Sequence, residues 1–471
     1  MSFTTIEFMF RFLPIFLIVY YVVPTRYKNM ILLIGSFVFY AWGQHFYLLL
    51  LMLSIVVNYT FGRLIGERRA QRKPLLILGL IYNFGLLVFF KYTNFFIENI
   101  NALLTATHIQ IPTISVVMPL GISFYTFQVV SYLVDVYRGE QRPVKNIINL
   151  GVYIAMFPQV TSGPIGLYSE LEPTLLRRHC SVLNLESGLK TFIIGMGAKM
   201  LLANPMGTLW AGMSRYGYET LSCPYAWLGA FGYSFQLYFD FAGYSLMAMG
   251  LGQMLGLYVP RNFDHPYISG SMAEFWRRWH ISLGSFFRDY VYIPMGGNRR
   301  HQPLNILVVW FLTGLWHGAS WNFVLWGLYF GAIIMLEKYT IVKIQDRIPG
   351  FILHIYSLFI IVFGWVIFYF TDISRMGGFI GILFGGGASG WNLVAQNELP
   401  GNLWLIIAGI VCCLPIGKGI RSIYEKAAYD GSAGAEVLLT GAKTLCAAAL
   451  LVSCTLLLIG STTNPFLYLR F

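Results

Sequence analysis

Long apolar runs separated by short polar connections recur along the whole chain. The runs extend over Ile6–Val23, Asn29–Gly43, Phe46–Gly62, Leu75–Phe90, Leu189–Ala203, Phe351–Phe370, Leu403–Leu414 and Val437–Gly460. A helix that crosses a bilayer needs about 20 predominantly apolar residues. At that length per helix, the pattern predicts an all-α polytopic membrane protein with roughly 10–12 transmembrane helices. We expect one domain over 1–471.

The composition agrees with a membrane protein and excludes several other classes. The chain is 57% hydrophobic and 11% charged, whereas soluble domains are about 25% charged. Its formal charge of +12 fits the Lys and Arg that membrane proteins collect in cytoplasmic loops. We find no nucleic-acid motif, so we expect contact with membrane lipid and not with nucleic acid. The six cysteines show no metal-ligand spacing, so we expect neither a structural disulfide nor a metal site.

The connections between the first runs alternate in charge. Pro24–Lys28, Arg63–Lys73 and Arg138–Lys145 carry Lys or Arg, whereas Gln44-His45 and Lys91–Pro112 are charge-poor. Basic connections of membrane proteins face the cytoplasm. The alternation therefore predicts cytoplasmic first, third and fifth connections and an N-terminus on the outside.

Four polar or helix-breaking features interrupt the apolar pattern. The Pro and Gly of Met118–Phe124 indicate a kinked helix or a re-entrant segment, and Pro158–Ile165 ends any helix. Asp135 and Arg138 lie three apart and are candidates for pairing on one helical face. Asp240 lies in an apolar, aromatic run, so it faces protein or water and not lipid. A buried structural role explains Asp240 better than a catalytic one.

The stretch Glu274–Gly331 concentrates the titratable groups. On a helix, Glu274 would neighbour Arg278, and Trp276 would neighbour His280, because each pair is four residues apart. Tryptophans mixed with arginines are typical of an interfacial helix. For this segment alone, an anchoring helix with His280 as an ordinary polar residue is the better explanation.

His317 is harder to explain as an ordinary residue. It ends an apolar run that starts at Leu304, and Trp316 and Trp321 bracket it in sequence. A neutral imidazole in a dry pocket is a competent general base, although an intramembrane histidine serves about as often as a structural hydrogen-bonding group. Asn298 and Asn322, nearby in sequence, strengthen the catalytic interpretation. We find no Gly-x-Ser-x-Gly and no His-Glu-x-x-His motif, which disfavours a serine hydrolase or a zinc enzyme.

Several long motifs follow one another in a fixed order. They comprise Met118–Gln128, Phe157–Gln159, Ser162–Ile165, Tyr238–Ser245, Glu274–Leu283, Gly296–Arg299 and Trp316–Trp321. In this combination the chain resembles the membrane-bound O-acyltransferase family, specifically its bacterial alginate O-acetyltransferase branch. The resemblance covers nearly the whole chain, and the concatenated motifs are far more specific than any one of them.

The resemblance implies a fold, a reaction and a site. It implies a ring of helices around a thinned central funnel, with interfacial and re-entrant helices, in a bacterial cytoplasmic membrane. The catalytic core would be 274–331, with His317 as the catalytic residue and His280 as the second signature position. An acyl thioester, acetyl-CoA or a phosphopantetheine thioester, would approach from the cytoplasm as co-substrate, with no bound cofactor. The acetyl group would reach an extracytoplasmic polysaccharide hydroxyl, directly or through an SGNH-type acetyltransferase partner.

Two positions depart from the alginate branch. Leu246 stands where that branch has an acidic residue, and Phe330 stands where it often has a histidine. Phe241–Leu246 and Ser162–Pro164 are more similar to the teichoic acid D-alanyltransferase branch. D-alanyl transfer from a carrier protein is therefore an alternative, and a polysaccharide or lipid transporter is a second one. The Gly296–Asn298 run and the N-terminal third favour acetyl transfer.

The remaining candidate site residues are assigned supporting roles. Arg277, Arg278, Arg299 and Arg300 are candidates for the phosphates of an anionic carrier, although an interfacial anchor explains any single one of them better. Asn298 is a candidate support for His280. The other supporting candidates are Asp240, Arg288, Trp316, Trp321 and Asn322.

The charge pattern yields a test of topology. In a variant with a single cysteine at Arg68, we expect no labelling by an impermeant thiol reagent in intact cells, because Arg63–Lys73 faces the cytoplasm. A cysteine at His45 should be labelled under the same conditions. Labelling at position 68 without lysis would overturn the assignment.

Overall fold

Helices account for nearly all of the regular structure that the computed structural model describes. It covers residues 1–105, 109–388, 393–417, 419, 433–460 and 466–467. The α-helices are α1 Leu13–Val22, α2 Lys28–Glu67, α3 Arg72–Leu103, α4 Ile122–Arg138, α5 Ile147–Ala155, α6 Tyr168–Leu176, α7 Val182–Gly197, α8 Asn204–Tyr216, α9 Cys223–Met254, α10 Met272–Arg278, α11 Ile281–Phe287, α12 Gln302–His317, α13 Trp321–Tyr339, α14 Ile341–Ile344, α15 Gly350–Tyr369, α16 Ile373–Gly381, α17 Leu393–Cys413 and α18 Ala433–Ile459.

Six helical stretches among the described residues are long and apolar enough to cross a membrane. They are Thr25–Glu67, Arg69–Leu103, Val182–Met213, Trp321–Arg347, Gly350–Tyr369 and Thr440–Ile459. The predicted all-α polytopic membrane fold is therefore confirmed. The total of roughly 10–12 crossings and the ring around a funnel stay predictions.

The second and third apolar runs of the sequence form the two halves of α2. The backbone leaves helical geometry at Gln44, with φ −150° and ψ 61°. A Cβ added at Gly151 would lie 3.1 Å from Leu33 Cδ2 and 3.7 Å from Ile55 Cγ2. In a straight helix those two residues would be about 33 Å apart. The halves therefore fold back on each other at Gln44, where the sequence predicts a connection.

The two predicted interruptions of the apolar pattern pack against each other. Met118–Phe124 is not a kink within one helix, because it leads from a segment without regular secondary structure into α4. Gly121 precedes α4 in the left-handed region at φ +76°, and a Cβ there would overlap the carbonyl oxygen of Val160. Only glycine combines that conformation with so close an approach. The helix-breaking segment Pro158–Ile165 is thus anchored at the start of α4.

Asp135 and Arg138, at the end of α4, converge on one tyrosine of a distant segment. The Tyr290 hydroxyl donates to the Asp135 carboxylate at 2.8 and 2.9 Å. The Arg138 guanidinium lies 5.3 Å from the Tyr290 ring centroid and donates to the Asp289 carbonyl at 3.2 Å. These contacts connect α4 to the π-helical turn that follows α11.

Asp240 forms an ion pair in the interior of the helix bundle. The Lys199 ammonium donates to one carboxylate oxygen of Asp240, and both side chains are almost fully buried. The other carboxylate oxygen accepts the backbone N–H of Leu467 at 2.7 Å. The structural role favoured from the sequence thus fits this placement, which ties α9 to the segment after α7 and to residue 467.

We expect Asp240→Leu to destabilise the protein strongly. Removing one partner of a buried ion pair typically costs 3–5 kcal/mol, roughly, since a desolvated charge remains. The measurement is denaturant-induced unfolding of the purified protein in detergent. The double variant Lys199→Met/Asp240→Leu should recover most of the loss, because replacing both charges by apolar groups is often neutral. Equal destabilisation of the single and double variants would contradict the assignment.

Candidate active site

His280 lies at a break between two short helices. Ser271 caps α10 by accepting the Glu274 N–H at 3.2 Å, and the predicted Glu274–Arg278 ion pair is present at 2.9 Å. The helix ends at Arg278, and His280 has the left-handed values φ 49° and ψ 52°. The expectation that Trp276 and His280 neighbour each other on one helix is therefore wrong.

Backbone pairing with a preceding segment explains this break. Asp264 donates its N–H to the Arg278 carbonyl at 2.9 Å, and Ile281 donates to the Asn262 carbonyl at 3.0 Å. The backbone groups on either side of His280 therefore have hydrogen-bond partners although they are not part of a helix. A non-glycine residue at positive φ persists only where its surroundings hold it. The conformation directs the imidazole into the protein, where the residue is 2% exposed.

Asn262 determines which nitrogen of His280 carries the proton. Its Oδ1 accepts the Ser282 N–H at 3.2 Å and the Ser282 hydroxyl at 2.9 Å, and it lies 3.1 Å from His280 Nδ1. An amide oxygen only accepts, so Nδ1 must donate. In neutral His280 the Nε2 atom then carries the lone pair. Asn262 is thus a site residue that the sequence analysis missed.

His317 ends one arm of a tight helical hairpin. Cβ atoms added at Gly314 on α12 and at Gly327 on α13 would overlap backbone carbonyl oxygens of the opposite helix. The two glycines therefore allow the helix backbones to touch. α12 ends at His317, because Gly318 is extended at φ −166° and α13 starts three residues later.

Three aromatic rings surround the His317 imidazole. The ring centroids of Trp316, Trp326 and Phe368 lie 5.0, 5.0 and 5.2 Å from it. Trp316 also lies 5.8 Å from His280 and so contacts both histidines. The rings exclude water from most of the imidazole, which is 4% exposed as a residue.

Trp321 and Asn322 have other surroundings than the sequence suggested. Trp321 is 52% exposed, and its indole donates to Asn99 at 2.9 Å. Trp321 thus flanks His317 in sequence but does not pack against its ring, and Trp326 packs there instead. Asn322 is buried and donates to the carbonyls of Ile367 and Phe368 at 3.4 and 2.9 Å. It thereby joins the start of α13 to the end of α15, which carries Phe368.

A cavity of about 420 Å³ connects the two histidines. Its wall is mostly apolar and comes from α10, α11, α12 and α13. Its polar and charged lining residues include His280, His317, Arg277, Arg288 and Tyr292. Pockets with a few convergent polar groups in an apolar wall are typical small-molecule sites. The cavity thus brings together both predicted catalytic residues and two of the predicted arginines.

Other candidates lie away from the cavity lining. Arg278 pairs with Glu274 and donates to the Asp264 carbonyl at 3.1 Å. Asn298 accepts the Tyr292 hydroxyl at 2.7 Å in an exposed turn, beside the exposed Arg299 and Arg300. The amide that contacts His280 is Asn262, not Asn298. Asp240 is held by Lys199, as described above.

Lys91 and Tyr92 also reach the site and were not singled out in the sequence. Lys91 donates to the carbonyls of Trp316 and His317, and Tyr92 donates to the Leu315 carbonyl at 2.6 Å. Lys91 was assigned to a loop, but α3 continues to Leu103. A lone lysine at the end of an apolar run gives no signal of this contact.

The chain matches a known protein family. The model of "MBOAT, membrane-bound O-acyltransferase family" matches residues 138–377, which include the predicted core 274–331. The chain is 36% identical over 445 residues to the protein named "Probable alginate O-acetylase AlgI" of Pseudomonas syringae pv. tomato, covering 93% of this chain and 85% of the relative. It is 34% identical over 409 residues to the peptidoglycan O-acetyltransferase of Helicobacter pylori, covering 78% and 76%.

A third relative matches a smaller part. The teichoic acid D-alanyltransferase of Streptococcus thermophilus is 31% identical over 243 residues, which cover 46% of this chain and 56% of that protein. The similarity to the D-alanyl branch seen in the motifs thus extends over about half of the chain, whereas the O-acetyl relatives match along most of it.

We expect the purified protein to lack stoichiometric zinc. Among the described residues, no group of three or more His, Cys, Asp or Glu has the geometry to hold a metal ion, and zinc sites need three or four such ligands. Elemental analysis of the protein in detergent checks this. One zinc per chain, lost in His280→Ala, would overturn the prediction.

Proposed function

The chain belongs to the membrane-bound O-acyltransferase family, and from that premise we propose that it moves an acetyl group across the membrane. The donor is a cytoplasmic thioester, and the acceptor is an extracytoplasmic polysaccharide hydroxyl. The observation that supports this most is the cavity that holds His280 and His317 together in an apolar wall. The protein is an O-acyltransferase of the multi-pass membrane type, so the transporter considered from the sequence is set aside.

In the proposed reaction, the His317 imidazole acts as general base. It accepts the proton of the acceptor hydroxyl while the hydroxyl oxygen attacks the thioester carbonyl carbon. The tetrahedral intermediate then collapses with cleavage of the carbon–sulfur bond. The imidazolium returns the proton to the departing thiolate, so an ester and a free thiol leave. The aromatic rings around His317 keep water from competing as the nucleophile.

His280 is proposed to orient the reacting groups or to stabilise the oxyanion. Asn262 holds its Nδ1 as a donor, so only the protonated imidazolium has a second N–H for an oxyanion, whereas the neutral ring offers Nε2 as an acceptor. The neutral ring suits an orienting role toward a hydroxyl or thiol proton. Arg277 and Arg288, which line the cavity, are proposed to attract the phosphates of the donor.

Acetyl is proposed as the transferred group. The O-acetyl relatives match along most of the chain, and the D-alanyl relative matches about half. Acetyl-CoA supplies the acetyl group in this proposal, and the group reaches the polysaccharide directly or through an extracytoplasmic SGNH-type acetyltransferase. The protein would lie in the bacterial cytoplasmic membrane with its N-terminus outside. Supplying labelled acetyl-CoA and labelled D-alanyl carrier protein separately to membrane vesicles distinguishes the two donors, and transfer from the carrier protein alone would favour the alternative.

We expect His317→Ala to reduce acetyl transfer by roughly 10²–10⁴-fold, the usual contribution of a general base. The measurement is transfer of radiolabelled acetyl from acetyl-CoA in membrane vesicles. His317→Gln keeps much of the size and hydrogen bonding but accepts no proton, so it should be equally inactive.

Controls separate this loss from a folding defect. Both variants should insert into the membrane, elute from size-exclusion chromatography in detergent and bind acetyl-CoA much as the wild type does. Substantial activity in His317→Gln would make His317 a hydrogen-bonding group and would transfer the role of base to another residue, His280 first. If neither variant is stable in detergent, a pH–rate profile of the wild type replaces the comparison.

A further inference from the structure

Two consecutive residues of α3 hold the end of α12. The Lys91 ammonium donates to the carbonyls of Trp316 and His317, the latter at 3.2 Å, and lies 3.5 Å from the Ser123 hydroxyl. The Tyr92 hydroxyl donates to the Leu315 carbonyl at 2.6 Å. Three successive carbonyls at the end of the helix are thus bonded to side chains from one neighbouring helix.

These bonds satisfy groups that the helix itself cannot. The last four carbonyls of an α-helix have no partner within it, and in apolar surroundings each unsatisfied group costs several kcal/mol, roughly. A cation is also favoured there by the negative end of the helix dipole. Water or a following polar turn often serves this purpose, whereas here an ammonium from a helix 225 residues away in sequence does so.

Lys91 also confines the tryptophan that separates the two histidines. Its ammonium lies 5.9 Å from the Trp316 ring centroid. On α4, Phe124 and Phe127 lie 5.2 and 5.7 Å from the same ring, and the Trp316 indole donates to the Ser123 carbonyl at 3.4 Å. The backbone and the ring of Trp316 are therefore held from two neighbouring helices.

We propose that Lys91 is a positioning residue, which fixes the backbone of His317 so that its imidazole meets the substrates at reacting distance. The inference rests on the proposed function, in which His317 is the base. The physical requirement is strict, because a misplacement of about 1 Å in an active site reduces the rate by roughly 10²-fold. Lys91 touches the two terminal carbonyls directly beside the imidazole, whereas Tyr92 bonds one residue earlier.

The experiment compares Lys91→Met with Lys91→Arg in membrane vesicles supplied with radiolabelled acetyl-CoA. Lys91→Met removes the hydrogen bonds donated to the carbonyls of Trp316 and His317, so we expect kcat to fall by roughly 10- to 100-fold with an unchanged KM for acetyl-CoA. Arginine donates several hydrogen bonds from a cation of similar reach, so Lys91→Arg should recover most of kcat. A group that only stabilises the fold would not produce a change confined to kcat and reversed by arginine.

Matched controls exclude a general effect of charge or of α3. Lys73→Met removes an exposed ammonium near the start of the same helix and should leave both constants as in the wild type. Tyr92→Phe removes the bond to Leu315 alone and should lower kcat less than Lys91→Met does. A loss of kcat in Tyr92→Phe as large as in Lys91→Met would overturn the specific role of Lys91.

The remaining outcomes are also decisive. Wild-type kcat in Lys91→Met, or a raised KM with unchanged kcat, would overturn the proposal. If Lys91→Met does not fold, Lys91→Gln keeps an amide donor and is measured instead. Failure of both to insert would show that Lys91 serves folding alone and would overturn the proposal too. Absence of transfer by the wild type would refute the proposed function, whereas wild-type transfer with an unaffected Lys91→Met refutes this inference alone.

Discussion

Polar groups in an apolar protein must find their partners inside the protein, and the site depends on this constraint. Lipid tails and aliphatic side chains accept no hydrogen bond from an ammonium or an N–H. Lys199 is therefore held by Asp240, His280 by Asn262 and the end of α12 by Lys91. Each partner comes from a different part of the chain, so each pair also fixes how two segments pack.

The same constraint explains why so much of the fold is predictable from the sequence. Helices satisfy their own backbone, so long apolar runs identify them, and the reversal at Gln44 was expected from the two runs on either side. The Glu274–Arg278 ion pair was also predictable, because residues four apart on one helix are neighbours whatever the rest of the fold does. His317 was a candidate because polar groups are rare in such surroundings, whereas His280 became one only through the resemblance to the acyltransferase family.

Contacts between distant segments were not predictable in this way. The helix break before His280 follows from backbone hydrogen bonds to Asn262 and Asp264. No local feature of the sequence Trp276–His280 predicts it. Trp321 is the nearer tryptophan in sequence, but the α12–α13 hairpin places Trp326 beside the His317 ring and leaves Trp321 half exposed. Asn262 and Lys91 belong to no recognisable motif. The sequence alone does not show which group an isolated amide or ammonium will contact in the folded protein.

The two histidines are held in different ways, and the difference bears on what each can do. Asn262 binds the ring of His280 directly, which fixes both its tautomer and its orientation. His317 is held through its backbone by Lys91, and its ring lies against Trp316, Trp326 and Phe368. The aromatic rings keep water away from the His317 imidazole, so the proton that it accepts and returns in the proposed reaction stays within the site. A group that must accept and return a proton in every cycle suits the second arrangement, and a group that must present one fixed nitrogen suits the first.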